Sequence, residues 1–243
     1  MTTAAGKSAV IQGAWALRPV ALAYRFAALV MALLGVIRIS GVFSGAPQWS
    51  AFLFFTVLSN LLCIVWLAVL VMRTSTDLGL KGSHGLSSPS ARWSGAVMFA
   101  ITVTMLVYLF VLLPAAFQQA GDYEPFSLTD TLLHVLTPCL LIVDWLLFIP
   151  KGAFRPREPL LWALIPLGYL VFAYALSALG VEFGAGQKYP YPFMNVELHG
   201  VGGVVAWISG LTAALIGVGY LFVLLDRWLA ARFPGQVKRF SAS

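Results

Sequence analysis

Residues 51–70 read AFLFFTVLSNLLCIVWLAVL, a run of twenty residues that is almost entirely apolar. As a helix, such a run spans roughly 30 Å at about 1.5 Å per residue, which matches the hydrocarbon core of a bilayer. Three hydrogen-bonding side chains interrupt it: Thr56, Ser59 and Asn60. Their i, i+3, i+4 spacing places all three on one helical face. The run therefore predicts a transmembrane helix that carries a polar stripe.

The whole chain has the composition of a membrane protein. Its 243 residues are 60% hydrophobic and 10% charged, whereas soluble domains have about 25% charged residues. We expect an all-α integral membrane protein with a single domain over residues 19–228 and no internal repeat. Six apolar runs are long enough to cross a bilayer: 19–40, 50–72, 94–117, 128–149, 159–180 and 200–228.

Basic residues predict the orientation of these helices. Twelve of the fifteen Lys and Arg residues lie before the first run, between runs two and three, between runs four and five, or near the end of the chain. By the positive-inside rule, both termini are cytoplasmic, which makes 1–18 a cytoplasmic segment and 229–243 a cytoplasmic basic tail. The net charge of +6 then reflects topology and the lipid bilayer, and indicates no nucleic-acid partner.

Two segments carry further structural predictions. The connection 73–92 is rich in Ser and Gly, which predicts a mobile linker. In the sixth run, Gly203, Gly210 and Gly217 recur every seven residues, which favours close packing of that face against a neighbouring helix.

Two opposite charges lie inside the apolar runs. Arg25 is seven residues from the start of the first run, and Asp144 is six residues before Pro150 at the end of the fourth. Both therefore lie roughly 10 Å inside the same membrane boundary. Because an unpaired charge in hydrocarbon is costly, we expect a structural ion pair between helices one and four.

A hydroxyl and an imidazole are expected at the same depth in the membrane. Thr56 lies seven residues past Trp49, and His134 lies seven residues past Ser127. If both helices enter from the same side, both side chains lie about 10 Å below that boundary. A hydroxyl becomes an effective nucleophile when a neighbouring base removes its proton, and histidine is the usual base. Thr56 and His134 are thus the candidate catalytic pair.

Other polar residues are candidates for supporting roles. Asn60, with Ser59 beside it, could stabilise an oxyanion, and Asp130 or Glu197 could orient the imidazole. Arg38 or Lys188 could bind a substrate carboxylate near the boundary. The remaining polar residue at the start of the sixth run is His199.

Three other interpretations stay open at this stage. Thr and Ser in membrane helices often bond a carbonyl one turn earlier, and a lone His can bridge two helices. A transporter or lipid-binding protein could use the same polar layer without cleaving a bond. Catalytic zinc generally takes three protein ligands, and the only histidines outside the connection 73–92 are His134 and His199, although Asp130 or Glu197 could complete a set. We therefore expect no metal and no cofactor.

Three stretches together resemble a known family: FFTVLSN (54–60), HVLTPCLLIVDW (134–145) and YPYPF (189–193). They are similar to the androgen-induced and androgen-dependent six-helix membrane proteins and to bacterial proteins of predicted six-transmembrane type. The resemblance implies an intramembrane threonine hydrolase that cleaves fatty acid esters of hydroxy fatty acids, located here in a bacterial inner membrane.

The same resemblance implies roles for individual residues. It makes Thr56 the nucleophile and His134 the base, and it matches Asp144 to an acidic residue of the family. The Tyr-Pro-Phe element of the family corresponds to Tyr191 and the two residues after it. The chain departs from the family pattern at two positions: Pro138 follows the histidine by four positions where five are expected, and Ser59 stands where an acid is expected.

Overall fold

The computed structural model describes residues 17–114, 126–184 and 186–232. Within these ranges the protein is helical and has no β-strand, and six helices are long and apolar enough to cross a membrane. This confirms the predicted all-α class with six candidate membrane-spanning helices. The helices are α1 (Arg18–Ser40), α2 (Phe55–Lys81), α3 (Ala91–Leu112), α4 (Leu128–Phe148), α5 (Glu158–Ala178) and α6 (Val196–Arg232).

Parts of three predicted segments lie outside the described residues. They are most of the N-terminal segment 1–18, most of the basic tail 229–243, and the last residues of the predicted span 94–117. The sixth helix is longer than the predicted span 200–228, and its backbone is non-helical at Gly200, where φ is 65°.

Helices α1 to α4 form a four-helix core, and α5 and α6 form a hairpin that joins this core chiefly through α3. Aromatic side chains fill part of the interface between α3 and α5. The ring centroids of Phe99 and Trp162, for example, are 5.7 Å apart. We call the end of the bundle with connections 41–54 and 179–195 the site end. The termini end carries connections 82–90 and 149–157.

Helix α2 differs from its predicted span at both ends. A 3₁₀ turn over Trp49–Leu53 precedes it, so Thr56 lies in the first turn of the helix and not seven residues inside it. At the other end, Asp77 forms ion pairs with Arg73 at 3.2 Å and Lys81 at 3.1 Å. Each pair has i, i+4 spacing, which supports helix in a segment predicted to be a linker.

The rest of that linker is also held in place, contrary to the prediction of a mobile segment. Buried Arg18 donates from its Nη1 to the Gly82 carbonyl at 2.7 Å and from its Nε to the Ser87 hydroxyl at 3.1 Å. Its backbone N–H bonds the Ser83 carbonyl at 2.8 Å. One arginine therefore anchors the α2–α3 connection to the start of α1.

The predicted ion pair between α1 and α4 is confirmed. Arg25 Nε lies 2.6 Å from Asp144 Oδ1, and both side chains are almost fully buried. The Nη1 group of Arg25 also donates to the Thr74 hydroxyl at 2.7 Å and to the Ser87 carbonyl at 2.6 Å. Because all these partners are internal, the buried guanidinium is well compensated.

The glycine stripe of the sixth helix does not pack as predicted. Among the described residues, a Cβ atom added at Gly210 or Gly217 would meet no other atom within 4 Å, whereas one added at Gly219 would lie 2.8 Å from Pro159 Cβ. The close approach between α5 and α6 is therefore at Gly219, a position outside the seven-residue repeat.

Candidate active site

Thr56 and His134 are in direct contact at the site end. Thr56 Oγ1 lies 3.3 Å from His134 Nε2, and both side chains are buried. On the other side of the ring, Nδ1 lies 3.2 Å from the Asp130 backbone carbonyl and 3.6 Å from its carboxylate. A carbonyl only accepts, so Nδ1 carries the proton and Nε2 is free to accept from the Thr56 hydroxyl.

The backbone of α4 around His134 is wound as a π-helix from Thr131 to Leu136. In this geometry the Thr137 N–H donates to the Leu132 carbonyl, and the next residue, Pro138, has no N–H. The Leu133 carbonyl therefore loses both candidate backbone donors. Asn60 of α2 supplies the missing hydrogen bond from Nδ2 at 3.2 Å. Single π turns inside α-helices are frequent at functional sites.

A second π turn, Tyr108–Leu112 of α3, faces the first. The Tyr108 ring stacks on the His134 ring with centroids 4.1 Å apart and planes within 15°. Tyr108 is 2% exposed, so the ring forms a rigid wall that fixes the plane of the imidazole. Sequence reasoning missed this residue because one tyrosine in an aromatic-rich span carries no distinguishing signal.

Ser59 and Asn60 support the backbone of Thr56. Asn60 Nδ2 donates to the Thr56 carbonyl at 2.7 Å, and the Ser59 hydroxyl donates to the same carbonyl at 3.1 Å. Ser59 Oγ is also 2.7 Å from Thr104 Oγ1. With its second contact to the Leu133 carbonyl, Asn60 directs its amide hydrogens at backbone oxygens. This placement gives Asn60 a structural role, whereas the sequence led us to expect that it would stabilise an oxyanion.

Tyr191 lies beside Thr56 at the start of α2. Its hydroxyl is next to the Thr56 hydroxyl and to the N–H groups of Phe55 and Thr56. These are the first residues of the helix, where N–H groups have no intrahelical acceptor and the helix dipole is positive. Burial raises the pKa of Tyr191 above its ordinary value, so the phenol is a neutral hydrogen-bond donor. Tyr191 of the YPYPF stretch thus lies beside the candidate nucleophile.

Three predicted site residues lie elsewhere. Exposed Arg38 donates from its Nε to the Thr129 hydroxyl at 3.1 Å, and the Glu197 carboxylate accepts from Lys188 Nζ at 2.8 Å. The backbone N–H of His199 bonds the Asn195 carbonyl at 3.0 Å. Of the two acids proposed to orient His134, the structure therefore places Asp130, and not Glu197, against the imidazole.

Two cavities meet at Thr56. The site-end cavity has a volume of about 610 Å³, and Gln48, Ser50, Asp130 and His134 supply polar groups to its wall. The apolar cleft is a smaller space of about 70 Å³ between α2, α3, α5 and α6. Three residues line both spaces: Thr56, Leu112 and Tyr191. The candidate nucleophile thus stands between a larger space with several polar groups and a smaller, apolar one.

Comparison with known proteins gives no match to a family model, to a curated protein or to a solved structure. The family resemblance of the three motifs therefore stays a prediction. Across residues 17–114, 126–184 and 186–232, no group of three or more His, Cys, Asp and Glu residues is arranged to hold a metal ion.

Proposed function

We propose that this protein is an intramembrane hydrolase of lipid esters, such as fatty acid esters of hydroxy fatty acids. The observation that carries the proposal is the buried contact of Thr56 Oγ1 with His134 Nε2 at 3.3 Å, with Nδ1 held by Asp130 on the far side. A nucleophile that contacts a base oriented by a third group is the arrangement shared by hydrolases with covalent intermediates.

The first step is attack on the ester. His134 Nε2 takes the hydroxyl proton as Thr56 Oγ1 forms a bond to the carbonyl carbon. The imidazolium that results is stabilised by the Asp130 carboxylate, which lies 3.6 Å from Nδ1. Tyr108 stacks on the imidazole ring and holds its plane, so Nε2 stays directed at Thr56 during the proton transfer.

The tetrahedral intermediate carries a negative charge that needs hydrogen-bond donors. The N–H groups of Phe55 and Thr56 and the hydroxyl of Tyr191 cluster beside the nucleophile, at the positive end of the α2 dipole. We assign the oxyanion role to these groups, since the amide of Asn60 is bound to backbone carbonyls. Loss of one such donor typically lowers kcat by about 10²–10³.

The second half of the reaction restores the enzyme. The ester C–O bond breaks, and the alcohol leaves with the proton held by His134. A water molecule then gives a proton to His134 and attacks the acyl carbonyl. The bond from the acyl carbon to Thr56 Oγ1 breaks, the fatty acid is released, and the proton returns from His134 to Thr56.

Charge favours one orientation for this site. Basic residues concentrate at the termini end of the bundle, so we place that end in the cytoplasm by the positive-inside rule. Both termini are then cytoplasmic, and Thr56 faces the outer half of the bilayer of an inner membrane. The residues that carry this argument are Arg73, Lys81, Arg92, Lys151, Arg155, Arg157, Arg227 and Arg232.

Purified variants test the proposal. Wild type should hydrolyse fatty esters in detergent micelles, whereas Thr56→Ala and His134→Ala should lose at least about 10³-fold in kcat. Thr102→Ala is the matched control, because Thr102 is another buried threonine and its hydroxyl bonds the Met98 carbonyl of its own helix at 2.7 Å. It should retain activity. Equal turnover by wild type and both site variants would reject the assignment.

The same samples distinguish a lipid carrier. A transporter or binding protein would co-purify with an intact lipid ester, and wild type would leave that ester uncleaved over many hours.

A further inference from the structure

The apolar cleft runs parallel to the helices. Its walls come from α5 between Ala163 and Leu170, from α6 between Ile208 and Leu215, and from α3 between Val103 and Leu112. On α5 and α6 the lining residues recur at i, i+3, i+4 and i+7 within these limits, so each helix presents one face to the cleft. Seven residues of helix measure about 10 Å. The cleft therefore descends about that far from Thr56 towards the middle of the bundle.

The wall of the cleft offers almost no polar group to a ligand. Thr104 is hydrogen-bonded to Ser59, and the Tyr169 hydroxyl donates to the Leu53 carbonyl at 3.1 Å. Thr212 of α6 adds one hydroxyl, and the remaining polar residues are Thr56 and Tyr191 at the mouth. A small, apolar space that extends along the helices fits a polymethylene chain and excludes a charged or hydrated group.

The site-end cavity is larger, and its wall carries more polar groups. It is several times larger than the cleft, at about 610 Å³ against about 70 Å³, and it presents Gln48, Ser50 and the Asp130 carboxylate. It can therefore hold water and the polar part of a substrate. The connections 41–54 and 179–195 contribute much of its wall, so it adjoins the end of the bundle.

We propose that the two cavities divide the substrate at its ester bond. The acyl chain lies in the apolar cleft, and the alcohol portion, followed by the attacking water, occupies the site-end cavity. This inference rests on the proposed function, which it deepens by assigning the two halves of the ester. It implies that the acyl chain stays in the cleft while it is bonded to Thr56, as the alcohol leaves through the other space. The length of the cleft then limits the length of the acyl chain that the protein accepts, whereas the length of the alcohol affects the rate far less.

Two series of esters test the assignment. In the first, p-nitrophenyl esters carry acetate, octanoate or palmitate; in the second, octanoate is esterified to methanol, octanol or hexadecanol. Thr212→Phe places a ring in the cleft at a half-buried position, and its neighbour Ala213, which is exposed, gives the matched control Ala213→Phe.

We expect Thr212→Phe to lower kcat/KM for octanoate relative to acetate by about tenfold or more, the value of two methylene groups that no longer fit. Its preference in the alcohol series should be unchanged, and Ala213→Phe should resemble wild type in both series. A variant that changes the alcohol preference and leaves the acyl preference alone would overturn the assignment.

A binding experiment separates this inference from the proposed function. Thr56→Ala protein is irradiated with a diazirine fatty acid, and the labelled peptides are identified by mass spectrometry. Labels on α5 and α6 between the limits of the cleft are expected, and labels confined to 41–54 and 179–195 would refute the acyl assignment. If the cleft is labelled but wild type cleaves no ester, the proposed function fails while the chain-binding cleft stands.

Discussion

Replacing Asn60 with leucine should destabilise the protein by about 2 kcal/mol. The side chain is fully buried and its Nδ2 group donates to two carbonyls, of Thr56 and Leu133. The first carbonyl keeps a bond from Ser59. The second is left without a donor, which costs about 1–3 kcal/mol for a buried group. Part of this loss is offset because the substitution removes the buried Asn60 Oδ1 atom, which has no hydrogen-bond partner among the described residues.

The cost should depend on residue 138. In the wild-type protein Pro138 has no N–H to offer the Leu133 carbonyl, and alanine at this position would supply one. We therefore expect Asn60→Leu to cost about 1 kcal/mol less in a Pro138→Ala background than in wild type. Reversible unfolding of the four proteins in mixed detergent micelles measures the coupling. Equal costs in both backgrounds would show that Asn60 does not replace the donor missing at Pro138.

Three other perturbations probe the packing around the site. Arg25→Met should lower the free energy of unfolding by about 3–5 kcal/mol because it leaves the Asp144 carboxylate buried and unpaired. In unfolding assays a second change, Asp144→Leu, should restore much of that loss. Burial lowers the pKa of Lys151 to about 8 from 10.5, so between these pH values the unfolded chain binds more protons than the folded one. The free energy of unfolding of wild type should therefore rise by about 3 kcal/mol over this pH range relative to that of Lys151→Met. Parallel profiles of stability against pH for the two proteins would contradict this. Gly219→Ala should lower Tm because its Cβ would meet α5 at 2.8 Å, whereas Gly210→Ala, which meets nothing, should leave Tm unchanged.

The six helices were predictable because each is a long apolar run, and the pairing of Arg25 with Asp144 followed from the cost of a lone charge in hydrocarbon. The contact of Thr56 with His134 was predicted by counting residues from two helix starts. The start of α2 was placed five residues too early, because the 3₁₀ turn over Trp49–Leu53 is as apolar as the helix that follows. Thr56 still contacts His134, but it lies in the first turn of α2 and not seven residues inside the helix as predicted.

The details of the site depend on tertiary contacts that leave little trace in sequence. The π turn around His134 exposes the Leu133 carbonyl, and only the packing of α2 on α4 shows that Asn60 bonds it. The place of Tyr108 over the imidazole depends in the same way on a second π turn in α3. Helix periodicity assumes a regular 3.6-residue repeat, so it cannot anticipate either turn.

Covalent labelling tests the central claim most directly. Wild-type protein in micelles is treated with a long-chain fluorophosphonate, and the modified residue is identified by peptide mass spectrometry. The account predicts a phosphonylated Thr56 in wild type, with labelling reduced by at least about 10³-fold in His134→Ala, since the base would be absent. Labelling of Ser59 in place of Thr56, or equal labelling with and without His134, would contradict it.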